Sequence, residues 1–580
     1  MAKKNTRLLL WMGTLLVLIV ASVGVAAFLL MQGGAPSFSD EPQWLHVKLN
    51  GQLTDSPTTG GLFDDPSDMP PLTSELSRAI REAAADEEIS GLFIDLEALG
   101  IGWAQLQELS DAIKAFRAAD KPCVVWSEQL TNKEYFVASG CGDIRLMPAG
   151  IALVNGLSIT QTFYAQTLSE LSIDANFEHV GDFKSAVEPY ERTGPSEPAA
   201  EATAYMLDSL YGQILSAISE GRGITDDEAR ALVDSPPMTP ADALDRGLVD
   251  VLQYRDEVLE EIGEERRSMR GYLRERRQEW LKGSEKIAVI YASGSIVSGE
   301  SGDQLLGGSI IGDRTVISQL DEVREDKTIK AVVLRVSSPG GSGSASDRIW
   351  RAVERTKAVK PVVISMGDYA ASGGYYISMG ADRIFAEPST LTGSIGVFGG
   401  KMDFGGFYEE WLKMNLHTIE RGEHASLLSS NQSFDEGDRE IFRSFLQGFY
   451  TTFVTKAAEG RDMTYDDLHA VAQGRVWTGE QALERGLIDE IGGTNDAIAA
   501  AAELANLESY GIRRLPERLS FFEELLEEFS SSPDDASAAL LMELPAPIRA
   551  ALSQARMLER VMGPTGLGAA ALLPYELDIR

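Results

Sequence analysis

Two residues of this chain have the chemistry to act as a pair, and they lie in different halves of it. Ser372 stands in "MGDYAASGGYY" and Lys184 in "VGDFKSAVEP". A serine hydroxyl is a weak nucleophile until a base removes its proton. Lysine serves as that base only when neutral, so its pKa, ordinarily about 10.4, must be lowered by burial or by a cationic neighbour. A serine–lysine pair therefore needs a dry cleft, of the kind two docked domains enclose. Glycines supply the rest of such a site. Ser372 precedes Gly373 and Gly374 at the junction of a strand-like and a helical run. Its hydroxyl is thereby expected at a helix N-terminus, where N–H groups point at a developing oxyanion. "RVSSPGGSGSAS" puts Gly340 and Gly341 after a second strand-like run, as further N–H donors to the same oxyanion.

These residues must be positioned by a duplicated scaffold. Lys360-Pro361-Val362-Val363 matches Lys121-Pro122-Cys123-Val124, and "ALERGLIDEI" matches "ALDRGLVDVL". The offset is roughly 240 residues throughout, which is domain duplication and not a short-period solenoid. Within that frame Ser372 aligns with Lys133, and Lys184 aligns with Ala425. Gly340 and Gly341 align with Gly100 and Ile101, and Pro339 with Leu99. Taken singly, each feature has a plainer reading: a glycine pair as a tight turn, a serine as a helix cap, a lysine as a surface residue. The losses are reciprocal, however. One copy keeps the serine and the oxyanion glycines, the other keeps the lysine, and together they make one site per chain.

In each copy short apolar runs alternate with helical patterns: "GLFIDL" and "KPCVVW" flank "AQLQELSDAIKAFRAA", as "AVVLRV" and "PVVISM" flank "SASDRIWRAVERTKA". That alternation reads as an α/β fold with mostly parallel sheets, built twice. The expected organisation is residues 1–7 before an anchor at 8–31, a Gly/Pro/Ser-rich tether at 32–44, the first repeat at 45–263, a charged helical connector at 264–285 read as solvated, the second repeat at 286–505, and a tail at 506–580. The apolar end of the tail, "GLGAAALLPYELDIR", reads as a packed strand or as an occluding peptide laid into a cleft, with packing favoured.

The net charge of −36 argues against nucleic acid as a partner, because phosphate neutralisation needs clustered Lys and Arg. Residues 8–31 carry no charge and span about 36 Å as a helix, enough to cross a bilayer. Lys3, Lys4 and Arg7 precede them, so the positive-inside rule leaves the N-terminus in the cytoplasm and the rest of the chain outside. A cleaved signal peptide is the rival reading, disfavoured by the length of the apolar run. Cys123 and Cys141 are the two cysteines. A disulfide is open to them outside the cell, but two small buried thiols are the favoured reading. The five histidines and two cysteines show no metal-ligand spacing, and no cofactor is expected.

The set "SPGG", "MGDYAASGGYY", "TLTGSIGVFG" and "GDFKSAVEP" in a duplicated chain resembles the bacterial signal peptide peptidase A family in its long form. The resemblance covers about residues 1–505. It implies a crotonase/Clp-protease-like fold in each half, Ser372 as nucleophile and Lys184 as general base. It further implies that Ser394 orients the lysine, that the protein is a homotetramer on the membrane, and that its substrates are remnant signal peptides. The acidic composition and the tail depart from the family pattern. Three other readings compete. One is a crotonase-type acyl-CoA enzyme, and one a membrane scaffold without activity. The third is a Ser–His–Asp hydrolase using His424, beside the vacated Ala425, although no aspartate is placed behind His424 or His417 by the sequence alone.

Overall fold

The repeated Lys-Pro pair does the same structural work in both halves. Nζ of Lys121 donates to the carbonyls of Ala83 and Asp86 at 3.1 and 2.6 Å. Nζ of Lys360 donates to those of Val323 and Asp326 at 2.6 and 2.5 Å. Each lysine thus neutralises the C-terminal end of a helix, Thr73–Ala85 or Asp313–Glu325, where carbonyls lack intrahelical partners. The proline that follows then leads into a central strand. This computed structural model describes residues 41–51, 53–57, 70–235, 239–263, 265–304 and 308–516, with the backbone of 570–572. The apolar stretch 8–31 lies outside the described residues. Among those described, no helix is long and apolar enough to cross a membrane.

The architecture is α/β. The first repeat builds a six-stranded sheet in which Ile89–Leu96, Cys123–Thr131, Asp143–Leu153 and Val251–Leu252 run parallel. The second builds an eight-stranded sheet centred on Lys286–Ser293, Ile329–Ser338 and Val362–Ala371, again parallel, with an antiparallel margin where Leu391–Gly393 meets Val476–Thr478. Val332, Val333, Leu334, Val362, Val363 and Ile364 are fully buried, as strands covered on both faces must be. Helices Trp103–Arg117 and Gly343–Lys357 are the corresponding crossovers. These sheets belong to one compact unit, Trp44–Arg580.

A third sheet joins the halves. It runs Gly302–Gln304, Gly308–Gly312, Ser295–Val297, Gly340–Ser342, Ala570–Leu572, Val397–Asp403 and Asp174–Val180. Its last strand comes from the first repeat and pairs antiparallel with Val397–Asp403 over seven residues. The tail contributes Ala570–Leu572, opposite Ser342, Ala571's partner Gly341, and Gly340.

Two readings of the sequence need correction. The connector is helical, Met269–Trp280, but it is not a solvated rod, because Met269, Tyr272, Leu273 and Trp280 are buried. Its charges hid an apolar stripe at helical spacing, which packs while Arg276 and Arg277 pair with Asp86 and Glu75. Cys123 and Cys141, favoured as thiols, form a disulfide. Cys123 begins a strand, and Cys141 follows the helix Asn132–Ala138 that returns beside it. The two Cα atoms come within 5.3 Å, inside bridging range.

Candidate active site

Ser372 ends a strand and opens a helix in a conformation that few residues adopt. Val362–Ala371 runs up the sheet, Gly373–Ser378 turns away, and Ser372 between them has φ 54° and ψ −110°. A non-glycine residue at positive φ costs of order 1–3 kcal/mol and persists where its surroundings over-determine it. Here they do: the Ser372 N–H donates to the Gly393 carbonyl at 2.8 Å, and the Tyr376 N–H donates to the Ser372 carbonyl at 2.8 Å. Tyr375 anchors the helix by donating its hydroxyl to the Leu487 carbonyl at 2.9 Å. Gly374 passes so close to Ser338 that a Cβ there would lie 2.7 Å from the Ser338 carbonyl oxygen.

Lys184 arrives from the other repeat. The strand Asp174–Val180 pairs with Val397–Asp403 and leads into Gly181, at φ 110°. The turn that follows brings Nζ of Lys184 to 2.8 Å from Oγ of Ser372. The same Nζ lies 2.9 Å from Oγ of Ser394 and donates to the Ser394 carbonyl at 3.1 Å. Lys184, Ser372 and Ser394 are all fully buried. Burial alone holds the Lys184 amine well below the ordinary lysine pKa, because removing the ammonium from water penalises the charged form. Ser394 also sits at positive φ, 49°.

The structure thus brings together Ser372, Lys184 and Ser394, with Gly373 adjoining. Gly340 and Gly341 lie in the short strand Gly340–Ser342. The Gly340 N–H already donates to Oγ of Ser338 at 3.1 Å, so it would join an oxyanion hole only by exchanging that partner. In the first repeat Lys133, at the vacated serine position, donates to the Ile101 carbonyl at 2.8 Å. His424 does have an aspartate behind it, contrary to the sequence reading: Nδ1 lies 2.9 Å from Oδ1 of Asp438, which raises the imidazole pKa. The group within hydrogen-bond reach of Ser372 Oγ is nevertheless Lys184. Among the described residues no group of three or more His, Cys, Asp or Glu side chains is placed to hold a metal ion.

Sequence reasoning missed residues 473–475, which clasp both repeats at this point. The Gln473 carbonyl accepts the Phe183 N–H at 2.9 Å, the Gly474 N–H donates to Ile395 at 2.8 Å, and the Arg475 carbonyl accepts the Ser394 N–H at 2.7 Å. The Arg475 guanidinium lies over the Phe183 and Trp477 rings, each at 4.7 Å, and pairs with Glu201 at 3.0 Å. A signal was present. Threonines 478 and 239 align, which sets Gly474 opposite Ser235, one more difference of the kind that exposed Ser372 and Lys184.

The family profile described as "Peptidase family S49" matches residues 115–268 and 354–508, one segment in each repeat. "Serine protease SPPA, chloroplastic" of Arabidopsis thaliana is 33% identical over 476 residues, covering 80% of this chain and 69% of its own. "Protease 4" of Salmonella typhi is 31% identical over 563 residues, covering 91% and 89%. "Protease 4" of Haemophilus influenzae is 30% identical over 529 residues, covering 85% and 84%.

Proposed function

The chain belongs to peptidase family S49 and is a serine protease, and from that premise we propose that it is a membrane-anchored endopeptidase that degrades remnant signal peptides with a dyad split between its repeats. The observation that carries this reading is the 2.8 Å approach of Lys184 Nζ to Ser372 Oγ, both buried, across 188 residues of sequence.

In the proposed reaction neutral Lys184 takes the Ser372 proton as Oγ attacks the scissile carbonyl. The carbonyl oxygen becomes an oxyanion, held first by the Gly373 N–H and flanked by the Gly340–Gly341 turn. As the intermediate collapses, the lysine ammonium returns its proton to the leaving amine and an ester to Ser372 remains. Water, deprotonated by the same lysine, then releases the acid and regenerates the serine. Ser394 acts by holding the amine in line, since its hydroxyl and carbonyl both meet Nζ. Each half would carry a crotonase/Clp-protease-like fold. Residues 8–31 would anchor the chain in the cytoplasmic membrane with both repeats facing the exterior. The Cys123–Cys141 disulfide supports that side of the membrane, as disulfides persist in oxidising compartments. An apolar substrate suits an anchored enzyme, and self-association as a homotetramer is part of the reading.

The test is hydrolysis of a fluorogenic apolar peptide by the full chain in detergent, beside Ser372→Ala and Lys184→Ala. Both variants are expected at background while remaining folded. Near-full activity in Lys184→Ala would remove the lysine from its role and turn attention to His424. A serine-directed acylating probe that fails to label Ser372 would sink the nucleophile assignment.

A further inference from the structure

The clasp that meets Lys184 is itself held from behind. Tyr450 stands in the helix Glu436–Gly460 and is 1% exposed. Its hydroxyl accepts the Gln473 N–H at 3.3 Å and lies 2.8 Å from Nδ1 of His469. Burial first, and then the nearness of Tyr465 and Asp182, push the phenol up to about 12, so it keeps its proton at neutral pH. With its oxygen accepting from Gln473, that proton goes to Nδ1, and the imidazole carries its own proton on Nε2. His469 is half-buried in the helix Tyr465–Val471. The Tyr465 ring stacks on it at 5.9 Å and 13° and steadies its orientation.

On its other side Gln473 faces the lysine turn. Its carbonyl accepts the Phe183 N–H at 2.9 Å. A Cβ on Gly181 would lie 2.5 Å from that same carbonyl oxygen, and one on Gly474 would lie 2.6 Å from Cβ of Lys184. Residues 181–184 therefore rest on 473–474 without slack, and a shift of one backbone is passed to the other.

The first repeat keeps the tyrosine but not the arrangement. Glu459-Gly460-Arg461 aligns with Glu220-Gly221-Arg222, and Thr478 with Thr239. That frame sets Tyr450 opposite Tyr211, His469 opposite Arg230 and Gln473 opposite Asp234. An arginine can only donate, and the Arg230 guanidinium lies over the Tyr211 ring at 5.2 Å. The histidine acceptor thus stands in the repeat that holds Ser372 and is replaced in the other, the same kind of difference that separates Ser372 from Lys133.

We propose that Tyr450, with its hydroxyl oriented by His469, is a positioning residue for the general base: it fixes Gln473, and through Gln473 the turn that presents Lys184 to Ser372. This rests on the proposed role of Lys184 as base. Without the hydroxyl the Gln473 N–H loses a buried acceptor, which is costly, and the clasp moves to recover one. The lysine turn packed against it follows, and Nζ leaves its line with Oγ of Ser372.

The experiment uses the full chain in detergent and the apolar peptide assay. Tyr450→Phe should lower kcat about tenfold with KM unchanged. It should also move the acid limb of kcat/KM to higher pH as the Lys184 amine gains water. His469→Leu should behave alike, and His469→Asn, whose Oδ1 stands near where Nδ1 stood, should restore most of the rate. The double variant Tyr450→Phe/His469→Leu should fall no further than Tyr450→Phe, because both changes break one chain of hydrogen bonds. Tyr211→Phe, on the matching helix of the first repeat, should stay within about twofold of wild type. Amide hydrogen exchange of the peptide covering 181–187 should quicken in Tyr450→Phe and His469→Leu, with circular dichroism unchanged. A Tyr450→Phe variant with wild-type kcat and acid limb would overturn the proposal, as would losses that multiply in the double variant. An equal loss in Tyr211→Phe would reduce the tyrosine to packing. If Tyr450→Phe does not fold, His469→Leu against His469→Asn makes the same comparison. A wild type silent toward the peptide rejects the enzymatic reading, while exchange at 181–187 still decides whether Tyr450 orders the lysine turn.

Discussion

At the scale of single residues, the balance between function and stability falls on Lys184. Its amine is buried with a pKa well below the ordinary 10.5. The folded chain therefore holds fewer protons than the unfolded chain between those two values, and stability from this group rises with pH up to the unfolded value and is lost as pH falls through the folded one. The buried amine costs stability at neutral pH, while its neutral form is the form a general base needs. Lys184→Met removes the amine and keeps much of the volume. It is expected to lower peptide hydrolysis at least about a thousandfold, yet to unfold at a higher temperature than wild type at pH 7. Paired activity and thermal-unfolding measurements check this, and a lower unfolding temperature would make the lysine a structural group. For wild type, kcat/KM should climb with pH on its acid limb as the amine loses its proton. That limb should be absent from the residual rate of Lys184→Met.

Among the elements, the clasp at residues 473–475 decides whether Lys184 meets Ser372. Gly474 is at φ 81°, and a Cβ there would lie 2.6 Å from Cβ of Lys184 and 2.7 Å from its backbone. Gly474→Ala must push the lysine turn away from Ser372. A displacement of about an ångström costs on the order of a hundredfold in rate. The expected signature is a lower kcat with little change in KM, and an acid limb shifted to higher pH as the amine meets water. A uniform loss of fold, seen by circular dichroism, would mean the glycine is needed for stability alone. This clasp also marks where sequence reading ran out. Ser372 and Lys184, which the structure brings together, stood out because each is kept in one repeat and lost in the other. The strands were legible because Val- and Ile-rich runs alternate with helices of 3.6-residue period. Gly474 passed unnoticed because its meaning lies in its close approach to Lys184 of the opposite repeat, and its difference from Ser235 carries no chemistry of its own. The Cys123–Cys141 bridge was open in the sequence but disfavoured, since a separation of 18 residues does not fix a distance until the helix between them is known to fold back.

For the molecule as a whole, the halves meet through buried charge as well as through the shared sheet. Arg335 is fully buried, pairs with Asp55 at 2.7 Å and lies 3.7 Å from Glu108. Asp368 accepts the Ala104 N–H at 2.9 Å and the Gln105 side chain at 2.9 Å, capping a helix of the other repeat. Beside them Glu387 is buried, and desolvation followed by the charges of Glu108 and Asp111 raises its pKa well above 4.5. A raised carboxyl contributes stability that is present below the unfolded value and falls as pH rises toward the folded one. Glu387→Gln should therefore leave stability unchanged below about pH 4 and increase it at neutral pH, read as a flatter dependence of unfolding temperature on pH. The same whole-chain view bears on the tail. Ala570–Leu572 lies between Gly340–Ser342 and Val397–Asp403, so it takes the edge of the Gly340–Ser342 strand with which an extended substrate of the proposed reaction would pair. Tethered to its own site, such a strand competes at an effective concentration of about a millimolar. Deleting residues 517–580 should lower KM for an apolar peptide about tenfold or more and leave kcat unchanged. A synthetic peptide spanning residues 565–576 should then inhibit the shortened chain competitively. An unchanged KM in a folded, shortened chain would mean that the strand closes the sheet without guarding the site.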